Sequence, residues 1–503
     1  MPKAILSVYD KTGLEPFAAR LVALGWTLIA SGGTARLLQG AGLPVTEVAD
    51  YTGSPEILSG RVKTLHPAIH GGLLARPTPE DLSQLQSLGW DYIDLVVVNL
   101  YPFEQTVAKP DVALADAIEN IDIGGVTLIR AAAKNFERVT LLCDPADYGR
   151  VLAELEQGAI SPETRRELAV KGFAQTAHYD SAIAAYLNPA GAFQLQAYPA
   201  QHLRYGENPH QAASLYTYTP GAGPLNGTVL QGKELSYNNL LDLDAAWKGV
   251  VSFDQTAVCI VKHLSPCGIA VAADLASAFK AALACDPISA YGGVVATNRP
   301  IDGPAAQAIS TLFVECIIAP GFTPEAREIF ARKKNLRLVE TPDTSISPNF
   351  ELRAVTGGLL KQVIDFGDPA GTEWKVVSQR KPSDEEMAAL RFAWKACQHV
   401  KSNSIVFARF IDGGVATVGI GGGQPNRVDC ARIAVTRAGE KSRGAVMASD
   451  AYFPFPDSVE VAAQAGITAV VHPGGSIRDN ESLATADAAG MAMVYTGVRH
   501  FRH

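Results

Sequence analysis

The chain has 503 residues, 47% hydrophobic and 19% charged, with a net charge of −8. That is an ordinary globular balance, enough for about three structural units of ~150 residues in two functional domains. The acidic balance argues against a general nucleic-acid-binding surface, and the seven scattered cysteines show neither a CxxC pair nor a disulfide framework, which fits a cytoplasmic protein.

No apolar run is long enough to span a bilayer, and Met1-Pro2-Lys3 leads straight into a strand, so no signal peptide is expected. Ala4 to Val8 reads as that strand, and Tyr9-Asp10-Lys11-Thr12-Gly13 as a polar turn. Leu14, Phe17, Ala18, Leu21 and Val22 then recur at helical spacing until Gly25. Trp26 to Ala30 is the next strand, followed by Ser31-Gly32-Gly33-Thr34 and a helix from about residue 35. Strand, helix and strand in this order predict a parallel sheet with right-handed crossovers. The Gly-rich turn at a helix N-terminus offers N–H groups and a positive dipole end to a phosphate. A tight turn that needs glycine for its backbone angles is the alternative.

Arg61-Val62-Lys63-Thr64-Leu65-His66-Pro67, with His70-Gly71-Gly72 behind it, crowds cations, imidazoles and a threonine together without a strong helical stripe. It reads as an anion or substrate loop, against a plain exposed loop. Ile93 to Val98 is a strongly apolar strand that delivers Asn99-Leu100-Tyr101-Pro102-Phe103 at its carboxyl end. Ile121-Asp122-Ile123-Gly124-Gly125 opens an apolar helix reaching Arg130 and Lys134, and Asp122 either caps it or does chemistry. Lys63, Tyr101, Asp122 and Lys134, each at an element end, form a proton-transfer set if the fold brings them together. A long helix from Glu163 to Tyr186 then leads to Pro189-Ala190-Gly191 and Pro199, the boundary of a first domain of residues 1–195.

The second domain, residues 196–503, opens with the irregular, group-rich segment Leu203-Arg204-Tyr205-Gly206-Glu207-Asn208-Pro209-His210-Gln211. Ala257 to Val261 is an apolar strand that breaks into Lys262-His263, with turns expected at Ser265-Pro266 and Gly268. An ammonium and an imidazole at a strand end can handle a proton and a developing negative charge, although such a pair can also merely face water. A helix near 275–284, Tyr291-Gly292-Gly293, and strands at Val294 to Thr297 and Glu315 to Ala319 follow. A second α/β set begins past Lys381-Pro382, so halves of about 200–380 and 381–503 are expected. Its turns are Lys401-Ser402-Asn403-Ser404, Gly421 to Arg427, Asp450 to Asp457 and His472 to Ser476. Zinc deaminases use H-x-E and then P-C-x-x-C. Pro266-Cys267 invites that comparison, but residue 270 is Ala270 and no H-x-E precedes, so no zinc is expected.

Together these turns resemble the bifunctional purine-biosynthesis family that combines AICAR transformylase with IMP cyclohydrolase. The resemblance rests on Asp10-Lys11-Thr12-Gly13, SGGTA at 31–35, RVKTLHP at 61–67, NLYPF at 99–103, IDIGG at 121–125 and AAAKN at 131–135. The second half adds LRYGENPHQ at 203–211, KHxSPCG at 262–268, SNS at 402–404, GGGQPNR at 421–427 and FPFxD at 453–457. It covers nearly the whole chain. It implies a methylglyoxal-synthase-like first domain that closes formyl-AICAR to IMP, with Lys63, Tyr101, Asp122 and Lys134 catalytic. Ser31, Gly32, Gly33 and Thr34 would hold the phosphate, with Asp10, Lys11, Arg61, Thr64, Asn99, Ile123 and Gly124 nearby. It implies a second domain of two cytidine-deaminase-like halves without zinc, moving a formyl group from 10-formyltetrahydrofolate to AICAR. There His263 would be the base, with Lys262 and Asn403 beside it. Arg204, Tyr205, Gly292, Glu315, Arg427, Tyr452 and Arg499 would touch the nucleotide, and Val428, Asp457, Ser476 and Ile477 the folate. The family's sites span a homodimer, so a homodimer is expected, with small-molecule partners and neither nucleic acid nor membrane. Tyr452 stands where the family usually has Phe, and Pro456 where Arg is common. A phosphate-sensing first domain and a zinc-dependent deaminase are the competing readings.

Overall fold

Leu95-Val96-Val97-Val98 has only apolar side chains and is wholly buried, so its backbone groups need strand partners on both sides. A computed structural model, which describes residues 1–188, 191 and 193–503, supplies them. Strands β1 (Lys3–Ser7), β2 (Thr27–Ala30), β3 (Val45–Glu47), β4 (Leu95–Val98) and β5 (Thr140–Leu142) form one parallel sheet, ordered β3-β2-β1-β4-β5. Phe17, Leu21 and Tyr148 cover one face; Ile69, Leu128 and Ile129 cover the other. Strand order reverses between β1 and β4, where doubly wound sheets open a crevice at their carboxyl ends.

Two local expectations change. The helix after β2 starts at Gly32 rather than near residue 35, because Gly32 takes up the φ of +54° that the entry demands. Residues 67–74 are a helix rather than loop: Pro67 suits the first turn, and the His66 ring accepts from the Ala68 amide at 3.1 Å. Gly72 belongs to that helix because a Cβ there would come 2.6 Å from the Asp91 carbonyl.

The chain divides into two compact units, Met1–Gln196 and Ala197–His503. Pro189 and Ala190, read as part of the boundary, lie outside the described residues. The second unit begins with the hairpin β6 (Tyr198–Leu203) and β7 (Ala213–Thr217). Its main strands are β8 (Thr228–Gln231), β9 (Ala257–Lys262), β10 (Ser265–Val271), β11 (Gly293–Thr297), β12 (Val314–Ala319) and β13 (Arg337–Glu340). A second hairpin, β14 (Phe350–Val355) and β15 (Gly358–Val363), intervenes. The remaining strands are β16 (Lys375–Val376), β17 (Ser404–Ile411), β18 (Gly414–Gly422), β19 (Val446–Ser449), β20 (Ala469–His472) and β21 (Ala492–Tyr495).

Twelve of these make one sheet, ordered β16-β21-β20-β19-β17-β18-β10-β9-β11-β12-β13-β8. The order repeats itself: hairpin β9–β10 followed by parallel β11, β12 and β13, then hairpin β17–β18 followed by parallel β19, β20 and β21. The sets join where β10 runs antiparallel to β18, Ala270 against Ala416. Helices Tyr237–Val251 and Asp384–Cys397 bury Trp247 and Trp394 in one shared core.

Ser265 to Gly268, read as a turn, is strand; the turn is His263-Leu264. Gly268 serves packing, since a Cβ there would meet the Ala282 carbonyl at 1.9 Å. Among the described residues, no group of three or more His, Cys, Asp or Glu is placed to hold a metal, and no helix is long and apolar enough to cross a membrane. All seven cysteines are free and buried.

Candidate functional site

Because β1 and β4 are parallel neighbours, the segments after Ser7 and Val98 emerge side by side. Asn99 ties them together. Its Oδ1 accepts from the amides of Tyr9 (2.6 Å) and Asp10 (2.9 Å), and its Nδ2 donates to the Asp10 carbonyl (2.8 Å). Buried Thr34 does likewise for Val8, accepting from its amide and donating to its carbonyl, both at 3.2 Å. Asp10 accepts from the Thr12 hydroxyl and amide, which hold its carboxyl below the usual range. The cleft beside them has a volume of about 730 Å³, and Gln105 and Gln175 also line it.

No side chain caps the helix Gly32–Gly40 at Ser31. A Cβ on Gly32 would come 3.0 Å from Lys63 Nζ, and one on Gly33 would come 3.8 Å from Lys11 Nζ. Two ammonium groups therefore stand at a helix N-terminus whose first amides lack a cap, an arrangement suited to a phosphate.

Lys63 Nζ also lies 3.4 Å from Glu56 Oε2. Asp122 accepts from the Gly125 amide at 2.7 Å, and its own amide donates to the Tyr179 hydroxyl at 2.8 Å. Burial raises the Asp122 carboxyl above its ordinary range, against the Gly125 and Tyr101 amides that favour its charged form. Burial, then the charges of Asp122 and Glu56, raise the Tyr101 phenol. Buried Thr64 closes the group, its Oγ1 being 3.0 Å from where a Gly124 Cβ would sit. A carboxyl whose proton affinity is raised by burial, beside a phenol and an ammonium, can give and take protons at a reacting centre.

Lys134, Arg61 and Ile123 stand in different surroundings. Lys134 ends the helix Gly124–Lys134, so within one chain it lies about 15 Å along the axis from the Asp122 end. The Arg61 guanidinium pairs with Glu119, and Ile123 is exposed. Glu56 and Tyr179 had no sequence signal, since their meaning lies in contacts distant along the chain.

In the second unit, the strand directions place the other candidates along one edge of the sheet. The end of β9, the starts of β10, β11, β12 and β17, and the ends of β18, β19, β20 and β21 meet there. Lys262 Nζ donates to the Tyr291 carbonyl at 2.7 Å, and a Cβ on Gly292 would come 3.9 Å from it. Glu315 accepts from Asn239 Nδ2 at 2.9 Å. Arg204 donates to the Tyr205 hydroxyl at 2.7 Å, and that loop is tied to helix Tyr237–Val251 by a 3.4 Å bond from Asn238 to the Glu207 carbonyl.

Asn403 Nδ2 donates to the carbonyls of Gln424 (2.9 Å) and Pro425 (3.1 Å), while its Oδ1 accepts from Arg427 Nη2 (2.7 Å). Arg427, expected at the nucleotide, is thus buried behind Asn403 and paired with Asp450. Val428 follows it and is half-buried. Exposed Tyr452 precedes the turn, and Asp457 opens helix Asp457–Gln464. The Arg478 guanidinium lies 4.9 Å from the Phe455 ring, drawing the turn of Ser476 and exposed Ile477 beside the aromatic one. Arg499 stacks on Phe501 at 4.8 Å.

A family model described as AICARFT/IMPCHase bienzyme matches residues 132–437, and one described as MGS-like domain matches residues 13–127. The chain is similar to proteins named Bifunctional purine biosynthesis protein PurH. That of Cyanothece sp. is 53% identical over 516 residues, covering 100% of both chains. Those of Nostoc punctiforme and Trichormus variabilis are each 51% identical and cover 99% of both chains. The chain is also similar to a solved structure, that of ForH, at 42% identity over 38% of this chain and 100% of that one, with a TM-score of 0.35.

Proposed function

The chain belongs to the AICARFT/IMPCHase bienzyme family, and from that premise we propose that its two compact units carry out successive reactions. It is a bifunctional enzyme of purine biosynthesis, an AICAR formyltransferase and IMP cyclohydrolase. The observation that carries the division of labour is that the two chemistry-bearing clusters lie in different units, Asp122 with Tyr101 and Lys63 in one, Lys262 with His263 in the other.

In the first unit the amides of Gly32 and Gly33, between Lys63 and Lys11, hold the phosphate of formyl-AICAR. Asn99, Thr34 and Asp10 shape the floor; Thr64, Ile123 and Gly124 border the ring. The carboxamide nitrogen attacks the formyl carbon, a C–N bond forms, and the formyl oxygen leaves as water with one proton from that nitrogen and one from the formamido nitrogen, which becomes doubly bonded to the same carbon. Asp122 and Tyr101 shuttle those protons, and Lys63 faces the developing alkoxide.

In the second unit the AICAR amine attacks the formyl carbon of 10-formyltetrahydrofolate, and the bond to N10 breaks. His263 takes the amine proton, which passes to N10; Lys262 stabilises the oxyanion and Asn403 orients the reactants. Arg204, Tyr205, Gly292, Glu315, Tyr452 and Arg499 hold the nucleotide, while Val428, Asp457, Ser476 and Ile477 hold the folate. The two halves are deaminase-like without zinc, supported by Ala270 in place of a second thiolate. From β12 to β20 the edge crosses seven strand spacings, about 34 Å, too wide for one nucleotide and one pterin, which supports sites shared across a homodimer. The enzyme works in the cytoplasm on small molecules.

The test is to incubate the metal-free protein with AICAR and 10-formyltetrahydrofolate and resolve the nucleotides over time. IMP with tetrahydrofolate supports both sites. Accumulated formyl-AICAR removes ring closure from the first unit, and untouched AICAR removes formyl transfer from the second. Asp122→Asn should slow ring closure by about 10²–10⁴-fold and leave formyl transfer intact.

A further inference from the structure

We propose that Asp242 is a positioning residue for formyl transfer, fixing the turn that presents His263; this rests on assigning that reaction to the second unit. Strands β9 and β10 are joined by His263 and Leu264 alone, at φ of 53° and 63°. In such a two-residue hairpin both central residues occupy the left-handed region, for which Asn-Gly is the usual choice. An L side chain is disfavoured there, so His-Leu persists only if the surroundings over-determine it.

Asp242 supplies that constraint. Its Oδ1 accepts from the Leu264 amide at 2.7 Å and its Oδ2 from the His263 amide at 3.2 Å, one oxygen to each. The carboxylate thus sets the peptide planes on both sides of the His263 side chain. That side chain makes no hydrogen bond among the described residues, so the backbone of the turn carries the hydrogen bonds that place the imidazole.

The carboxylate itself stands on a fixed base. Helix Tyr237–Val251 is closed by a capping box between Ser236 and Asn239, and Asn239 also bonds Glu315 at 2.9 Å. Asp242 lies one turn further on. The neighbouring Lys262 is held separately, by the Tyr291 carbonyl. Lys262 and His263 therefore take their positions from different partners, and the turn can be loosened without freeing the lysine.

Asp242→Ala and Asp242→Asn would be made in the full-length chain, assaying formyl transfer with both substrates and ring closure with added formyl-AICAR. Asp242→Ala should lower kcat for transfer about 100-fold, the scale of a small misplacement of a reacting group. KM for AICAR should stay within about threefold, and ring closure within about twofold. Asp242→Asn, with one acceptor oxygen, should lose about tenfold.

Adding Leu264→Gly to Asp242→Ala removes the steric cost at one of the turn's two positions and should restore at least about tenfold in kcat. A kcat for Asp242→Ala near the parent's would overturn the proposal. So would a Leu264→Gly double variant that regains thermal stability but no turnover. If Asp242→Ala does not fold, Asp242→Asn decides by the same criteria. A parent protein with no transfer activity would overturn the reaction assignment instead, before any variant is compared.

Discussion

The Arg427 guanidinium and the Asp450 carboxylate form an ion pair inside the second unit, with side chains 6% and 0% exposed. Arg427 reaches on to Asn403, while Asp450 accepts from the Ser402 hydroxyl at 2.5 Å and the Ser404 amide at 3.2 Å. The pair therefore grips Asn403 through its own side chain and through both chain neighbours. Removing one partner strands a buried charge, at a cost of about 3–5 kcal/mol. Asp450→Ala should lower stability by that amount in urea denaturation, and formyl transfer should fall with it. The apolar pair Arg427→Met with Asp450→Leu should recover most of the stability but not the activity. Equal stability for Asp450→Ala and the parent would show that the pair anchors nothing.

Gly32 makes a different prediction, because both its backbone and its space are constrained. At φ +54° an added side chain costs about 1–2 kcal/mol, and its Cβ would press on Lys63 Nζ at 3.0 Å. Gly32→Ala should raise the ring-closure KM for formyl-AICAR about tenfold by displacing the ammonium from the phosphate position. Inhibition of ring closure by inorganic phosphate should weaken in parallel. An unchanged KM would place the phosphate elsewhere.

His500 ties stability to alkaline pH. Its Nδ1 lies 2.6 Å from Asp365 Oδ2, and its Nε2 2.9 Å from Asp368 Oδ1. Burial disfavours the imidazolium, but the hydrogen bonds and charges of Asp365 and Asp368 outweigh it and raise the pKa to about 9. The folded value exceeds the free value of about 6.5, so the stabilisation is complete below that pH and is lost as pH rises through about 9. The unfolding free energy from urea titrations should fall between pH 6.5 and 9.5, by about 3 kcal/mol at most. His500→Gln should flatten that slope. A parallel slope in both proteins would assign the pH dependence to other groups.

What the sequence disclosed follows from the range of the forces involved. The all-apolar run Leu95–Val98 and the glycines after β2 announce a buried parallel strand and a helix entry, because both are local requirements. Asp122 was open between cap and acid: it accepts from the Gly125 amide as a cap does, and burial raises its carboxyl above the ordinary range. The hairpin at His263-Leu264 was hidden because neither residue signals a left-handed turn; the carboxylate that accepts from both its amides, Asp242, lies about twenty residues earlier. Whether Lys134 joins Asp122 could not be read from sequence; the helix through Ala131-Ala132-Ala133 puts the two at opposite ends of one element. Glu56 and Tyr179 acquire their meaning only from tertiary contacts.

The hairpin β14–β15 bears on assembly. A two-stranded hairpin is marginal alone in water and needs a covered apolar face. Here every residue of β15 is exposed, including Leu359, Leu360 and Val363, the last at 69%. Leu359 and Val363 share a face, being an even number of residues apart on one strand. If two copies share the formyl-transfer sites, this surface belongs in their contact. Leu359→Glu with Val363→Glu should then give a monomer by sedimentation. Formyl transfer should then collapse, because in shared sites neither chain alone would bring both ends of the long sheet edge to one substrate pair. Ring closure, assembled within Met1–Gln196, should continue at the parental rate. A variant that still sediments as a dimer would leave the hairpin outside the contact. A monomer with full transfer activity would show instead that one chain completes its own site.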